Sequence, residues 1–121
     1  MAVSKARGKH LNIAPRKVRL VADLIRGKKV SEARVILDFT VKRAAPLVNK
    51  LLASAVANAE SMAAEHRERV DTDEMLVRRI FVDGGPTRKT FQPQPRGRAS
   101  RIRQRSSHIT LIIGGKNDEI D

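Results

Sequence analysis

The sequence predicts an α+β fold with a long basic extension between its last two strands. Three central segments have the spacing or composition of helices, and segments rich in β-branched residues near both ends resemble strands. The chain has 121 residues, the length of one domain, and its 40% apolar content suits a modest core. We therefore expect a body formed by residues 1–85 and 106–113, a hairpin at 86–105 and a flexible acidic tail at 114–121.

The first helix is predicted for the segment PRKVRLVADLIRG. Pro15 fits a first helical position, and Gly27 fits the cap that follows a helix C-terminus. At 100° per residue one face is apolar and the opposite face is basic. The apolar face consists of Val18, Val21, Ala22 and Ile25, and the basic face of Arg16, Arg19 and Arg26.

Two more helices are predicted further along the chain. The segment VSEARVILDF has Ser31 as a candidate N-cap, with Val30 and Val35 at the two positions of a hydrophobic staple. The segment PLVNKLLASAVANAESMAAE is longer and rich in alanine, so that neighbouring backbones can approach it closely. We expect it to be the central helix.

Strands are predicted for LVRRIFV (76–82) and HITLII (108–113), and a further strand for VSKARGKHLNI near the N-terminus. The charged segment 66–74 is predicted to be a loop, and DGGP (83–86) a turn. Only three residues are aromatic, of which Phe39 and Phe81 are expected in the core. That leaves Phe91 as the candidate for stacking on a base.

Positive charge is concentrated in two segments that lie far apart in the sequence. The net charge is +12, with nine basic and one acidic residue in 1–29, and seven basic and no acidic residues in 86–108. Such a balance points to a polyanionic partner. The alternative is a soluble protein that merely happens to be basic.

The second basic segment has too little apolar surface to order itself. Pro86, Pro93 and Pro95 lack amide donors, which excludes a central sheet strand and suits an exposed two-stranded ribbon. Arginine and lysine without acidic neighbours favour phosphate as the partner. A disordered basic linker is the alternative, but the strands that flank the segment favour an anchored hairpin.

Other classes of function lack candidates in the sequence. The three histidines are far apart, there is no cysteine, and no phosphate-binding loop or nucleophile elbow occurs, so no enzyme, metal or cofactor is expected. No secretory signal or membrane span is evident, which predicts a cytoplasmic protein. With Phe91 as the one stacking candidate, we expect stacking to be minor and the partner to be a structured RNA, recognised by shape and phosphate, rather than a bare single strand. Two alternatives remain: a DNA-compacting protein, and an RNA-modifying enzyme or its basic subunit.

Four blocks, in order, carry a family resemblance: PRKVRLVADLIRGKKVSEA, LLASAVANAE, IFVDGGPTRK and RGRASRIRQRSSHITLII. They resemble the bacterial large-subunit ribosomal protein L twenty-two family over roughly residues 9–113. The resemblance implies three helices packed on a three-stranded antiparallel sheet with a long protruding β-hairpin. It also implies a structural role in the large subunit, with binding to 23S-type rRNA, participation in early assembly, and a hairpin that lines the nascent-peptide exit tunnel.

The resemblance assigns rRNA contacts to specific positions of this chain. From the body these are Arg16, Lys17, Arg19, Arg26, Lys28 and Lys29. From the hairpin they are Lys89, Arg96, Arg98, Arg101, Arg103, Arg105 and His108.

The hairpin tip is implied to face the tunnel, the nascent polypeptide and an extension of the neighbouring L four-type ribosomal protein. Its residues here are Arg88, Lys89, Thr90, Phe91, Gln92, Pro93, Gln94 and Pro95. This tip departs from the family pattern, because FQPQP replaces a more basic run and Arg88 stands where an apolar residue is commoner. Ala14 likewise stands where relatives have a serine N-cap.

Overall fold

Three helices pack on a three-stranded antiparallel sheet, and a separate two-stranded ribbon follows from two of its strands, which confirms the predicted fold class. The computed structural model describes residues 3–67, 71–86, 88–93 and 99–115, and within the ribbon it describes the backbone. The elements are β1 (Ser4–Leu11), α1 (Pro15–Ile25), α2 (Val30–Phe39), α3 (Ala44–Glu65), a 3-10 helix (Thr72–Glu74), β2 (Leu76–Gly84), β3 (Arg88–Pro93), β4 (Ala99–Gln104) and β5 (Ser107–Gly114).

The last strand occupies the middle of the sheet. The strand order is β1-β5-β2, and both neighbours run antiparallel to β5. Because β2 leads into β3 and β4 leads into β5, the β3–β4 ribbon extends the β2–β5 pair. β5 ends at Gly114, and residues 116–121 of the predicted tail lie outside the described residues.

The alanine-rich helix α3 is central, as predicted. It packs on α1, α2, β1 and β5, and nine of its residues are buried, five of them alanines. The buried Ser4 hydroxyl donates a 2.7 Å hydrogen bond to the Ala55 carbonyl, which ties β1 to the helix. Small side chains on α3 therefore allow β1 and the other helices to pack closely around it.

The predicted ends of α1 are confirmed. Pro15 is the first helical residue, and Ala14 before it makes no side-chain cap. Gly27 has a φ of 78°, a left-handed conformation that glycine adopts without strain. Its N–H donates to the Val77 carbonyl at 3.0 Å, so the turn after α1 brings the chain alongside β2.

The predicted start of α2 is wrong by two residues. The N-cap is Lys29 rather than Ser31, and Val30 is the first helical residue. The reason is a tertiary contact: the Val30 N–H donates to the Met75 carbonyl at 2.8 Å, which fixes Val30 against the residue before β2. Val30 is buried while Val35 is exposed, and the predicted staple geometry is therefore lost.

The prediction that Phe81 lies in the core is also wrong, since 43% of its surface is exposed. β2 pairs Val77 with Ile113 but Arg79 with Ile112, so Arg78 is the extra residue of a β-bulge. The bulge reverses the alternation: Val77 and Ile80 face the helices, and Arg79 and Phe81 face away.

Phe39 was likewise expected in the core and is 81% exposed. It is the last residue of α2, whose buried stripe is formed by Val30, Ala33 and Leu37. At 100° per residue Phe39 lies about 160° from Leu37, close to the opposite side of the helix. Phe39 is therefore helical, but its side chain points to solvent rather than to the core.

The base of the hairpin is closed by contacts around Gly85. β2 continues through Asp83 and Gly84, where the sequence had suggested a turn. The Gly85 N–H donates to the Ser106 carbonyl at 2.9 Å, and the Ser106 hydroxyl donates to the Pro86 carbonyl at 2.7 Å. A Cβ on Gly85 would overlap the Ser106 Oγ and lie 3.2 Å from the His108 Nε2.

Arg19 of α1 and Arg26, the residue that follows α1, donate hydrogen bonds to the outer edge of β2. The Arg19 Nε and Nη2 donate to the Val82 carbonyl at 3.3 and 2.9 Å, and the Arg26 Nη2 donates to the Ile80 carbonyl at 2.9 Å. The other side of β2 pairs with β5, so these carbonyls would otherwise form an open strand edge. α1 therefore protects the strand that leads into the hairpin.

We predict that Gly85→Ala destabilises the body by about 1 kcal/mol, because its Cβ displaces the Ser106 hydroxyl from Pro86. Urea unfolding measures the effect. Gly84→Ala is the matched control, since its Cβ would only meet the Pro15 Cγ at 3.9 Å. In a Ser106→Ala background the cost should shrink, and an unchanged cost would show that the hydroxyl is not involved.

We further predict that Arg19→Gln and Arg26→Gln each cost about 0.5–1.5 kcal/mol in the free energy of unfolding, because each removes donors from β2. Arg16→Gln and Lys17→Gln are the controls. They should leave stability within about 0.5 kcal/mol or raise it slightly, since both cations lie at the positive end of α1. Equal losses in all four variants would contradict a specific edge contact.

Candidate nucleic-acid interface

The fold brings the two basic segments of the sequence together. The start of α1 lies beside the hairpin base, because a Cβ on Gly84 would come within 3.9 Å of the Pro15 Cγ. One turn further along, Arg19 contacts the carbonyl of Val82 on β2. The basic face of α1 and the root of the hairpin are therefore neighbours, although they are far apart in sequence.

Arg16, Lys17 and Lys28 are the body cations best placed for an external anion. All three are exposed and make no side-chain hydrogen bond or ion pair with the described residues. At the start of α1 the Ala14 side chain caps no backbone N–H. The positive end of the helix dipole therefore adds to the charges of Arg16 and Lys17.

Arg26 and Lys29 are partly neutralised inside the body. Arg26 forms an ion pair with Asp23 and also holds the Ile80 carbonyl. The Lys29 Nζ lies 3.3 Å from the Glu74 carboxylate. Together with Arg19, these residues have structural partners already, so an added phosphate would share their donors rather than receive all of them.

Part of the predicted hairpin site lies within the described residues. Lys89 is in β3, and Arg101 and Arg103 are in β4. The tip positions Arg88, Thr90, Phe91, Gln92 and Pro93 are also in β3. The predicted positions Gln94, Pro95, Arg96 and Arg98 lie outside the described residues.

The register of the ribbon places cationic positions opposite one another. Lys89 pairs with Arg103, and Phe91 pairs with Arg101, so these four positions alternate along one side of the ribbon. Like charges directly opposite each other in an antiparallel pair are destabilising. Within the described residues, β3 and β4 have their main contacts with each other. An anion along this side of the ribbon would offset the repulsion between such positions.

Arg105 and His108 lie at the root of the ribbon. Arg105 is exposed, between the end of β4 and the start of β5. His108 is half-buried, and its ring lies close to the backbone of Gly85. Of the two, Arg105 is the more available for a new contact.

A group of exposed cations on the sheet is absent from the predicted contacts: Lys5, Arg7 and Lys9 of β1, and Arg79 of β2. The alternation in the sequence predicts Lys5, Arg7, Lys9 and Leu11 on one face. Lys5 and Arg7 do share the outer face, but Leu11 packs against the core, because the register of β1 shifts after Gly8. Arg79 could not be placed, because its direction depends on the bulge at Arg78.

In the described ranges, no helix combines the length and apolarity that crossing a membrane requires.

The chain was compared with models of known protein families. Residues 6–114 match the family described as Ribosomal protein L22p/L17e. This match covers most of the 121 residues, including every helix and strand except the first two residues of β1. The chain therefore belongs to the Ribosomal protein L22p/L17e family, whose members are structural, rRNA-binding proteins of the large ribosomal subunit rather than enzymes.

Proposed function

We propose that the hairpin, residues 86–105, enters the 23S-type rRNA of the large subunit while the basic face of α1 holds the body on the rRNA surface. The observation that carries this proposal is the ribbon register, in which Lys89 stands opposite Arg103. Such a ribbon has no core of its own and lacks internal acids, so phosphate groups are the partner that best offsets its repulsion.

The geometry at the base of the hairpin supports insertion of the hairpin into rRNA. Hydrogen bonds of Gly85 and Pro86 with Ser106 join the two strands where they leave the sheet. Arg19 of α1 also donates a hydrogen bond to the outer edge of β2. The direction of the ribbon at its root is therefore set by the body. A root set in this way could guide the ribbon into a gap between RNA segments once the body has docked.

The tip, residues 88–95, is proposed to line the nascent-peptide exit tunnel opposite an extension of the L four-type protein. Its sequence RKTFQPQP mixes two cations with uncharged polar, aromatic and proline residues. Such a wall binds a passing polypeptide weakly. The protein then works in the cytoplasm as part of the ribosome, and its RNA contacts contribute to early assembly of the large subunit.

We predict that replacing Arg98, Arg101, Arg103 and Arg105 with Gln lowers the slope of log K against log salt for rRNA binding by about 3, because each cation neutralises about one phosphate. Filter binding of an rRNA transcript over a range of salt concentrations measures the slope. The control replaces four exposed cations outside the proposed surfaces, Lys42, Arg43, Lys50 and Arg67. Equal slopes for the two variants would remove the hairpin from the interface.

The tunnel position has a separate test. The chain has no cysteine, so Gln92→Cys installs a single thiol in the tip. In ribosomes carrying this variant, we expect a disulfide with a cysteine placed in a stalled nascent chain, and only over a short window of nascent-chain positions. Lys50→Cys on the exposed side of α3 is the control. Cross-linking from position 50 but not from position 92 would contradict a tunnel-facing tip.

A further inference from the structure

The sheet has a second face that the helices do not use. On β5 the side chains of Ile109, Leu111 and Ile113 belong to the core shared with the helices. The alternate residues of β5 face the other way, so this face consists of three cross-strand rows. Arg79, Ile112 and Lys5 form one row, Phe81, Thr110 and Arg7 the next, and Asp83 and His108 the third.

This outer face is strongly basic and carries an exposed aromatic ring. Lys5, Arg7 and Arg79 are exposed on it, against the single carboxylate of Asp83, and Lys9 is exposed beside it, where the register of β1 shifts. None of the four cations makes an ion pair with the described residues. Ile112 and Thr110 on the middle strand are almost fully buried, so the exposed surface of this face belongs to the side chains of the flanking strands.

Phe81 is placed by a specific backbone feature. The bulge at Arg78 turns Arg79 and Phe81 outward, at the cost of exposing 43% of one of only three aromatic side chains. Without the bulge, the alternation of Val77 would place both residues among the helices. The strand thus presents an aromatic ring and a guanidinium two residues apart on one face, about 6.8 Å along the strand.

We propose that the outer sheet face binds a single-stranded segment of RNA, with one base stacked on Phe81 and the flanking phosphates on Lys5, Arg7, Lys9 and Arg79. The inference rests on the proposed function, since it assigns a second RNA contact to the same protein. Arg7 lies in the Phe81 row two strands away, and Arg79 and Lys5 lie in the adjacent row. β1 and β2 flank β5, so the residues at the two ends of a row stand about 9.6 Å apart, and a bound segment would cross β5 between them.

Single-stranded RNA fits this face better than a double helix or an acidic protein does. Stacking needs an unpaired base with a free π-face, and Phe81 offers a partly exposed ring on the outer face of the sheet. An acidic protein would satisfy the cations but would leave the ring without a matched partner. The earlier expectation that only Phe91 could stack therefore needs correction, because Phe81 is outside the core.

Tryptophan fluorescence tests the stacking contact, because the chain contains no tryptophan or tyrosine. In Phe81→Trp the indole is the only such fluorophore, and we expect titration with an eight-nucleotide oligouridylate to quench it. Phe39→Trp is the matched control, since Phe39 is an exposed phenylalanine on α2, away from the sheet face. Its emission should change little. Quenching of both alike would mean non-specific association and would overturn the proposal.

The cations are tested with Phe81 left in place. We expect Lys5→Gln, Arg7→Gln and Lys9→Gln together to weaken oligouridylate binding about tenfold or more at low salt, and to lower the salt slope by about 2. The control is a triple variant with Lys42→Gln, Arg43→Gln and Lys50→Gln. It also removes two lysines and one arginine, but from another part of the surface. Urea unfolding of both triples verifies that each is folded. Equal affinities for the two would overturn the proposal.

The results separate this inference from the proposed function. If the hairpin variants lose rRNA binding while the sheet-face variants keep it, only the sheet-face site is wrong. If the wild-type chain fails to bind the rRNA transcript, the proposed function fails as well. If polyglutamate quenches Phe81→Trp as strongly as the oligouridylate does, the face is an acidic-protein site and the RNA assignment is overturned.

Discussion

The antiparallel pairing of β2 with β5 is the constraint on which the rest of the structure depends. Because β5 is the middle strand, this ladder closes the sheet over the helices, and the same two strands lead directly into β3 and β4. The β2–β5 pair of the body therefore continues into the β3–β4 pair of the ribbon. Between the two pairs, Ser106 forms hydrogen bonds with Gly85 and Pro86. A ribbon without a hydrophobic core can have a defined root only because the body supplies one.

Some of the cations of this chain stabilise the fold, and others are available for recognition. The difference depends on whether a cation lies next to an unpaired backbone carbonyl at the outer edge of β2. Arg19 and Arg26 face the outer edge of β2 and satisfy its carbonyls, so part of the charge on α1 stabilises the strand that carries the hairpin. Arg16 and Lys17 project from the same helix without such partners. A helix face that looks uniformly basic in sequence is thus mixed in function. Counting its arginines alone overstates the number available to phosphate.

The sequence could predict most of this architecture because the decisive signals are local. Pro15 and Gly27 bound α1, alanines identify α3 as central, and the prolines of the extension exclude a central strand. The failures depend on contacts between distant segments. Val30 begins α2 because Met75 accepts its N–H, and Phe81 faces outward because a bulge at Arg78 shifts the register against β5. Only the pairing with Ile112 and Ile113 fixes the position of this bulge.

Two RNA-facing surfaces on one ladder would act together rather than independently. The ribbon and the outer sheet face both arise from β2 and β5, so a segment bound on the sheet raises the effective concentration of neighbouring RNA at the hairpin root. The body is stabilised by its core, whereas the ribbon holds Lys89 opposite Arg103, so under the proposed function the ribbon would gain more from phosphate than the body would. Docking of the body first would then be the energetically easier order, because phosphate contacts near the docked body would offset the entropy of fixing the ribbon.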